Sequence, residues 1–592
     1  MRITLSRATA AIATAGLLVV AAPTGSPAQA AEACGLGQTC QGELAGTLGS
    51  SPYSIQMPTS FNGTVLVWSH GYRFSGPIPA ALAGPSALNL AANPAYQKIS
   101  VPSFAAGFGS DVAYQATNVP ETAPSPEIAQ ALLAQGFALA GAGYARQGWA
   151  AAQGVEAGGN LIGYVKGGGI AGVKNVRVWG ASLGGLISQT LFEKNPKAIQ
   201  SAMPMCGVVA GPEQAFGSAM TVLYSWKTLI APTLKVANYT PGAAGYAEAL
   251  TDLGTVFKTL GAVGAGQVSV SPVGYPIAQA NLLGGLMAGL PTVSSVYDGQ
   301  TVNPAFASLG TAAALAGGYQ PASAGASTAA AMLQNVGTAA ALGILGRYDL
   351  EMQLRQIAQI PPTETANFND NVNVSYAELL TPEQRGEFGD TLNSTTVMPN
   401  ALNAMIASLD ATRGNPAARF PANPKAVAAL DLLPHPTGAY SGPEVLVSTT
   451  YDPAVPAGNT GWLSDRLKAS YAKGKGMKSG YRVATYYTVP PADGWTQFDA
   501  GAKSPNAAAS IAALGGSGVG HCVFTGPQVL GAVSTWSKVT NATTAKKMSS
   551  AVRSFWAVPG VNADGLWRPD ALKRPGGLPA PRPIAKPTIK VS

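Results

Sequence analysis

The stretch Asn175-Val176-Arg177-Val178-Trp179-Gly180-Ala181-Ser182-Leu183-Gly184 reads as a strand that breaks sharply into a helix. Its first half is rich in β-branched and aromatic residues, as a short buried strand should be. Leu183 to Phe192 then continues with helical spacing. Between the two lies a Gly-x-Ser-x-Gly pattern, Gly180 to Gly184, which occurs once in the chain. In a loop it would be an incidental serine among glycines. Between a strand and a helix it has a mechanical meaning, because the tight turn lifts the serine hydroxyl above the sheet edge. The flanking glycines leave room for that strained backbone. The helix N-terminus behind it favours a developing negative charge. Ser182 is therefore the candidate nucleophile.

The same alternation extends in both directions. Thr64 to Trp68 is a strand ending at Ser69-His70-Gly71, and Ile128 to Gln135 is a helix followed by the strand Phe137 to Ala140. Ala202 to Val209 reads as the strand after the Ser182 helix. After a long interruption the pattern resumes with the strand Glu444 to Thr449, a helix over Thr460 to Ala472 and the strand Tyr481 to Val489, and a final helix covers Pro527 to Ser537. Strands alternating with helices predict an α/β fold with a mostly parallel sheet covered on both faces. The interruption is rich in Ala, Gly, Leu and Thr, contains helical runs such as Thr328 to Leu345, and is far too long for a loop. The expected organisation is a core in two parts, 32–211 and 441–566, split by a mainly helical inserted lid, 212–440.

A serine hydroxyl needs a base. The chain has three histidines, and two follow Ser182. His435 sits between prolines ahead of a strand, whereas His521 follows a Gly-rich loop and precedes the last helix. His521 is the candidate base. Asp452, in Tyr451-Asp452-Pro453 just beyond the strand at Val445, is the candidate acid that fixes the imidazole. Asp493 and Asp499 come later and fit less well, since the acid is expected on an earlier strand than the histidine. Asp452 could also be a plain turn-former before proline. The two oxyanion donors expected are the backbone N–H groups of Leu183, directly after the serine, and of Tyr72, in the loop begun by His70-Gly71. His70 is then a loop-shaping residue.

Taken in chain order, His70-Gly71, Gly180 to Gly184, Asp452 and His521 resemble the α/β-hydrolase superfamily. The likeness covers roughly 47–210 and 444–537, with an insertion after the sixth core strand. It implies an α/β-hydrolase fold and two-step acyl transfer: attack by Ser182, proton transfer to His521, and hydrolysis of an acyl-enzyme. A narrower likeness is to secreted esterases of the tannase and feruloyl esterase type, which carry a cysteine directly after the catalytic histidine, as His521-Cys522 does here. Their partner cysteine directly precedes the nucleophile. Ala181 stands there in this chain, and Cys206 is an alternative anchor. The resemblance implies an ester hydrolase without fixing the substrate. The other readings are a serine peptidase or amidase with the same triad, and an inactive hydrolase scaffold used for binding.

Composition narrows the rest. Charged residues are 11% of 592, well under the usual quarter or so, while 47% are hydrophobic. That excludes an intrinsically disordered chain. Residues 1–31 have the order of a secretory signal peptide: Arg2 and Arg7, a short apolar run from Ala10 to Ala22, then Ala28-Gln29-Ala30. Its apolar run is too short for a transmembrane anchor. Removing it lowers the net charge from +8 to +6, with no dense basic stripe, so a nucleic-acid partner is not expected. Export also predicts two disulfides from Cys34, Cys40, Cys206 and Cys522. Three pairings are open, and the closeness of Cys34 and Cys40 favours them as one pair. No metal site or cofactor is expected, because metal-ligand spacings are missing. Residues 567–592 form a Pro-rich basic tail. A small-molecule or polymeric ester with apolar or aromatic parts is the expected substrate, with Tyr144 and Trp149 as candidate cleft residues. The oligomeric state is left open.

Overall fold

The computed structural model describes residues 33–76, 119–264, 267–291, 324–393, 398–449, 452–474, 480–488, 521–522, 524 and 526–554. The expected signal segment 1–31, the tail 567–592, and Asp493 and Asp499 lie outside them. Eight strands form one sheet: β1 (Thr39–Leu44), β2 (Ser51–Gln56), β3 (Thr64–Ser69), β4 (Ala138–Ala142), β5 (Asn175–Ala181), β6 (Ser201–Met205), β7 (Glu444–Thr449) and β8 (Val483–Thr488). Their order across the sheet is β1-β2-β4-β3-β5-β6-β7-β8. β1 and β2 pair antiparallel, β2 joins β4 antiparallel, and the pairings from β4 through β8 are parallel. This order, with the crossover at β3 and β4, is that of the α/β-hydrolase fold.

The central strands are apolar on both faces because helices cover both. Along β3, Val65 and Val67 point into one core and Leu66 and Trp68 into the other. The first core is closed by α2 (Ala151–Tyr164) and α3 (Leu183–Lys194). The second is closed by α1 (Pro126–Ala134) and α13 (Gly526–Thr540). Ser125 starts α1 as an N-cap, its hydroxyl accepting from Ile128 N–H. α12 (Gly458–Lys473) packs on β7 and β8.

Between β6 and β7 the chain is helical among the described residues: α4 (Pro212–Leu229), α5 (Ala243–Gly264), α6 (Ile277–Met287), α7 (Ala324–Ala358), α8 (Tyr376–Leu379), α9 (Pro382–Asn393), α10 (Ala401–Asp410) and α11 (Pro424–Leu432). α14 (Ala545–Ser554) follows α13. The apolar core of the insertion is continuous with that of α2 and α3, so it is packed onto the sheet rather than tethered beside it. Among the described residues no helix is long and apolar enough to cross a membrane.

Three features depart from the pattern expected of the sequence. The antiparallel edge pair β1–β2 is additional, and so is α2, which occupies a stretch with four glycines for which no element was expected. The strand expected over Ala202 to Val209 stops at Met205, where Cys206 takes a φ of 39° and turns the chain out of the sheet.

Candidate active site

Ser182 stands at the carboxyl end of β5 with φ 58° and ψ −122°, a conformation that a non-glycine residue adopts at a cost of order 1–3 kcal/mol. Neighbouring glycines make the turn possible. A Cβ on Gly184 would lie 1.9 Å from the Ser69 carbonyl oxygen, and one on Gly180 would lie 2.3 Å from that of Gly184. The Ser182 N–H donates to the Met205 carbonyl at 3.0 Å, and its own carbonyl accepts from Val208 N–H at 3.3 Å. The turn is thus pinned to the end of the neighbouring strand β6.

The structure brings Ser182, His521 and Asp452 together although they are far apart in sequence. His521 Nε2 lies 2.8 Å from Ser182 Oγ, and His521 Nδ1 lies 2.9 and 3.0 Å from the two Asp452 oxygens. A carboxylate at Nδ1 fixes the tautomer with the proton on that nitrogen, leaving Nε2 to accept from the serine hydroxyl. Asp452 is 1% exposed and is also a turn-former: its Oδ1 accepts from Ala454 N–H at 2.9 Å and Val455 N–H at 2.8 Å. The turn and the histidine contact are therefore one arrangement. The loop hydrogen bonds aim the carboxylate and satisfy its remaining lone pairs.

Cys206 and Cys522 are at disulfide distance, with Cα atoms 5.5 Å apart, and so are Cys34 and Cys40, at 5.9 Å. The first pair ties the residue after His521 to the residue after β6, the same strand end that anchors Ser182. Cys206, Asp452 and Cys522 lie close together, but both sulfurs are used in the disulfide and offer no thiolate to a metal.

Leu183 heads α3, where an amide has no acceptor within the helix. The loop after β3 approaches Ser182 from the other side. A Cβ on Gly71 would lie 3.4 Å from Ser182 Cβ. His70 is buried behind that loop, with Nδ1 2.8 Å from the Gly71 carbonyl and its ring stacked on Tyr144 at 3.8 Å. Burial, and then the charge of Arg73, holds its imidazole well below the usual range, so it stays neutral. The Tyr144 hydroxyl donates to the His70 carbonyl at 2.9 Å. Tyr144 thus supports the loop from behind and is not among the residues facing the pocket. His435 lies on the loop before β7, near the Leu433 carbonyl.

An apolar pocket of about 620 Å³, counting its open mouth, lies against Ser182. Trp149, Phe216, Leu290, Leu342 and Val455 form much of its wall, and Tyr72 and Leu183 border it. No charged side chain is among its lining residues. One wall comes from α4 and α7 of the insertion, through Ala215, Ala219, Ala339 and Gly343. In the sequence this region was legible only as rich in Ala, Gly, Leu and Thr with helical runs. Another comes from the loop Pro453 to Pro456, just after Asp452.

Comparison with protein families and with curated proteins finds no match. Among solved structures the chain is similar to an esterase from Aspergillus oryzae (12% identity, 76% of this chain and 72% of that one, TM-score 0.30). It is also similar to feruloyl esterase B from Aspergillus oryzae (8% identity, 76% and 72%, TM-score 0.26). A putative dipeptidyl aminopeptidase IV from Bacteroides ovatus aligns over 29% of this chain at 12% identity and a TM-score of 0.19. The chain spans about a fifth of that peptidase's length.

Proposed function

We propose that this chain is an exported serine hydrolase that cleaves carboxylic esters of apolar or aromatic groups through an acyl-enzyme. The observation that carries the reading is the hydrogen-bonded series Asp452, His521, Ser182, with the serine on a strained strand-to-helix turn. Ser182 Oγ attacks the ester carbonyl carbon while His521 Nε2 takes its proton, and Asp452 stabilises the imidazolium. The carbonyl oxygen, now negative, accepts from the N–H groups of Leu183 and Tyr72. Collapse expels the alcohol, which receives the proton from His521. Water, activated by the same histidine, then releases the acid. Residues 212–440 act as the lid that walls the pocket with apolar side chains, so uncharged substrates are favoured. Residues 1–31 direct export, for which the two cysteine pairs are chemically suited.

The test is hydrolysis of p-nitrophenyl esters and matched peptide anilides by wild type and Ser182→Ala. Ester turnover by the wild type and its loss by a factor of about 10³ or more in the variant are expected. Undiminished turnover by Ser182→Ala would sink the proposal, and faster cleavage of the anilides would move it to a peptidase.

A further inference from the structure

The long insertion helix α7 carries a buried carboxylate that the proposed reaction does not use. Asp349 is 1% exposed, and its two oxygens accept from two side chains of the loop after β3: Oδ2 from the Tyr72 hydroxyl and Oδ1 from the Ser75 hydroxyl. Tyr72 is the residue whose amide is the proposed second oxyanion donor. The approach is close on the core side as well. A Cβ on Gly148, in the loop after β4, would lie 2.8 Å from the Asp349 carboxyl.

The neighbours of Asp349 along α7 indicate that this face of the helix is built for the loops beneath it. Gly346, Asp349 and Gln353 are spaced three and four apart, which puts them on one face. A Cβ on Gly346 would meet the Phe216 ring at 3.1 Å and lie 3.9 Å from the Tyr72 ring. Gln353 Nε2 donates to the Trp149 carbonyl at 2.6 Å. The other side of the helix is fixed inside the insertion. Buried Arg347 bonds to Asn367 and Asn369 at 3.1 and 2.7 Å, and Glu351 accepts from the N–H groups of Asn238 and Tyr239. The carboxylate is therefore presented to the loop from a rigid support.

We propose that Asp349 is a positioning residue that latches the insertion to the oxyanion loop, so that seating the insertion and forming the oxyanion site are one event. This rests on the reading of Ser182 as nucleophile. The latch does not touch substrate. It fixes Tyr72 at its ring end and Ser75 three residues on, which holds the backbone from Tyr72 to Ser75 and thereby sets how the preceding Gly71–Tyr72 peptide, whose N–H is the proposed donor, is turned.

The experiment compares full-length wild type with Asp349→Asn, Tyr72→Phe, Ser75→Ala and the Asp349→Asn/Tyr72→Phe double variant on p-nitrophenyl butyrate, with Ser182→Ala alongside. Asp349→Asn is expected to lower kcat about ten- to a hundredfold with KM within about twofold, the range for loss of part of an oxyanion site. Each hydroxyl deletion is expected to lower kcat several-fold. The double variant is expected to be no worse than Asp349→Asn, because both changes weaken the same contact. An unchanged kcat in Asp349→Asn, an effect confined to KM, or additive losses in the double variant would overturn the latch. If Asp349→Asn does not fold, the two hydroxyl deletions decide, and full kcat in both overturns it. Failure of the underlying reading would appear separately, as turnover retained by Ser182→Ala.

Discussion

Burial pushes the Asp349 carboxyl up to about 6, against the pull of its hydrogen bonds from Ser75 and Tyr72 and of the Arg146 charge. The charged and titratable groups facing it are Arg146 from the loop after β4, Tyr72 from the loop after β3, and Tyr348 on its own helix. The folded value lies above the ordinary carboxyl value of 3.8, so the native state binds the proton more tightly than the unfolded chain. Stability from this group is then complete below about pH 4 and is lost as pH rises through about 6. The loss amounts to roughly 3 kcal/mol by pH 8. Asp349→Asn removes that dependence. Its unfolding free energy, followed by urea titration from pH 4 to pH 8, should improve relative to wild type by up to about 3 kcal/mol as pH rises. A difference that stays constant across that range would rule the account out.

At the scale of elements, the pocket-facing side of α7 makes a separate prediction. Ala339, Leu342, Gly343 and Gly346 recur at three- and four-residue intervals and border the pocket. Ala339→Leu adds three carbons where the proposed acyl chain would lie. At about 0.8 kcal/mol per buried methylene, kcat/KM for an octanoyl ester should fall about ten- to a hundredfold, with the acetyl ester within about threefold. A chain-length profile that did not change would place the acyl group elsewhere. Elements also mark how far the sequence could be read. β3 and β7 were legible as short apolar runs, β5 as valines and a tryptophan around Arg177, and the Ser182 turn as a glycine pattern between elements. β1 was not, because most of its residues are exposed and carry no alternation. α2 was hidden by its glycines, whose low helix propensity suggests loop. Two of them are there for packing: a Cβ on Gly154 would lie 2.4 Å from Ile187 Cδ1, and one on Gly158 would lie 2.7 Å from Leu191 Cδ1. Tertiary contact between α2 and α3 overrides the local preference. Asp349 left no sequence signal, because Tyr72 and Ser75 lie 277 and 274 residues away from it.

Across the whole molecule, the insertion separates β6 from β7, yet the two strands pair in the sheet. The Cys206–Cys522 link ties the end of β6 covalently to the His521 position beyond β8, spanning 316 residues, whereas Cys34–Cys40 spans 6. The loop-entropy account of disulfides makes the long link worth roughly 5–6 kcal/mol and the short one roughly 2 kcal/mol. The two also differ in what they hold. Cys522 follows His521, and its N–H lies 3.3 Å from Asp452 Oδ2, so the long link shares its anchor with the proposed base and acid. Cys34–Cys40 ties the edge strand β1 to buried Cys34, whose N–H donates to the Gly169 carbonyl at 2.9 Å, and touches none of Ser182, His521 and Asp452. A Cys206→Ser/Cys522→Ser double variant should therefore lose several kcal/mol in urea unfolding and also turn over more slowly in buffer without denaturant. Cys34→Ser/Cys40→Ser should lose about 2 kcal/mol or less and keep its kcat. Equal stability losses from the two pairs would count against the entropic account. Full kcat in Cys206→Ser/Cys522→Ser would show that the loop hydrogen bonds to Asp452 suffice to seat His521 alone.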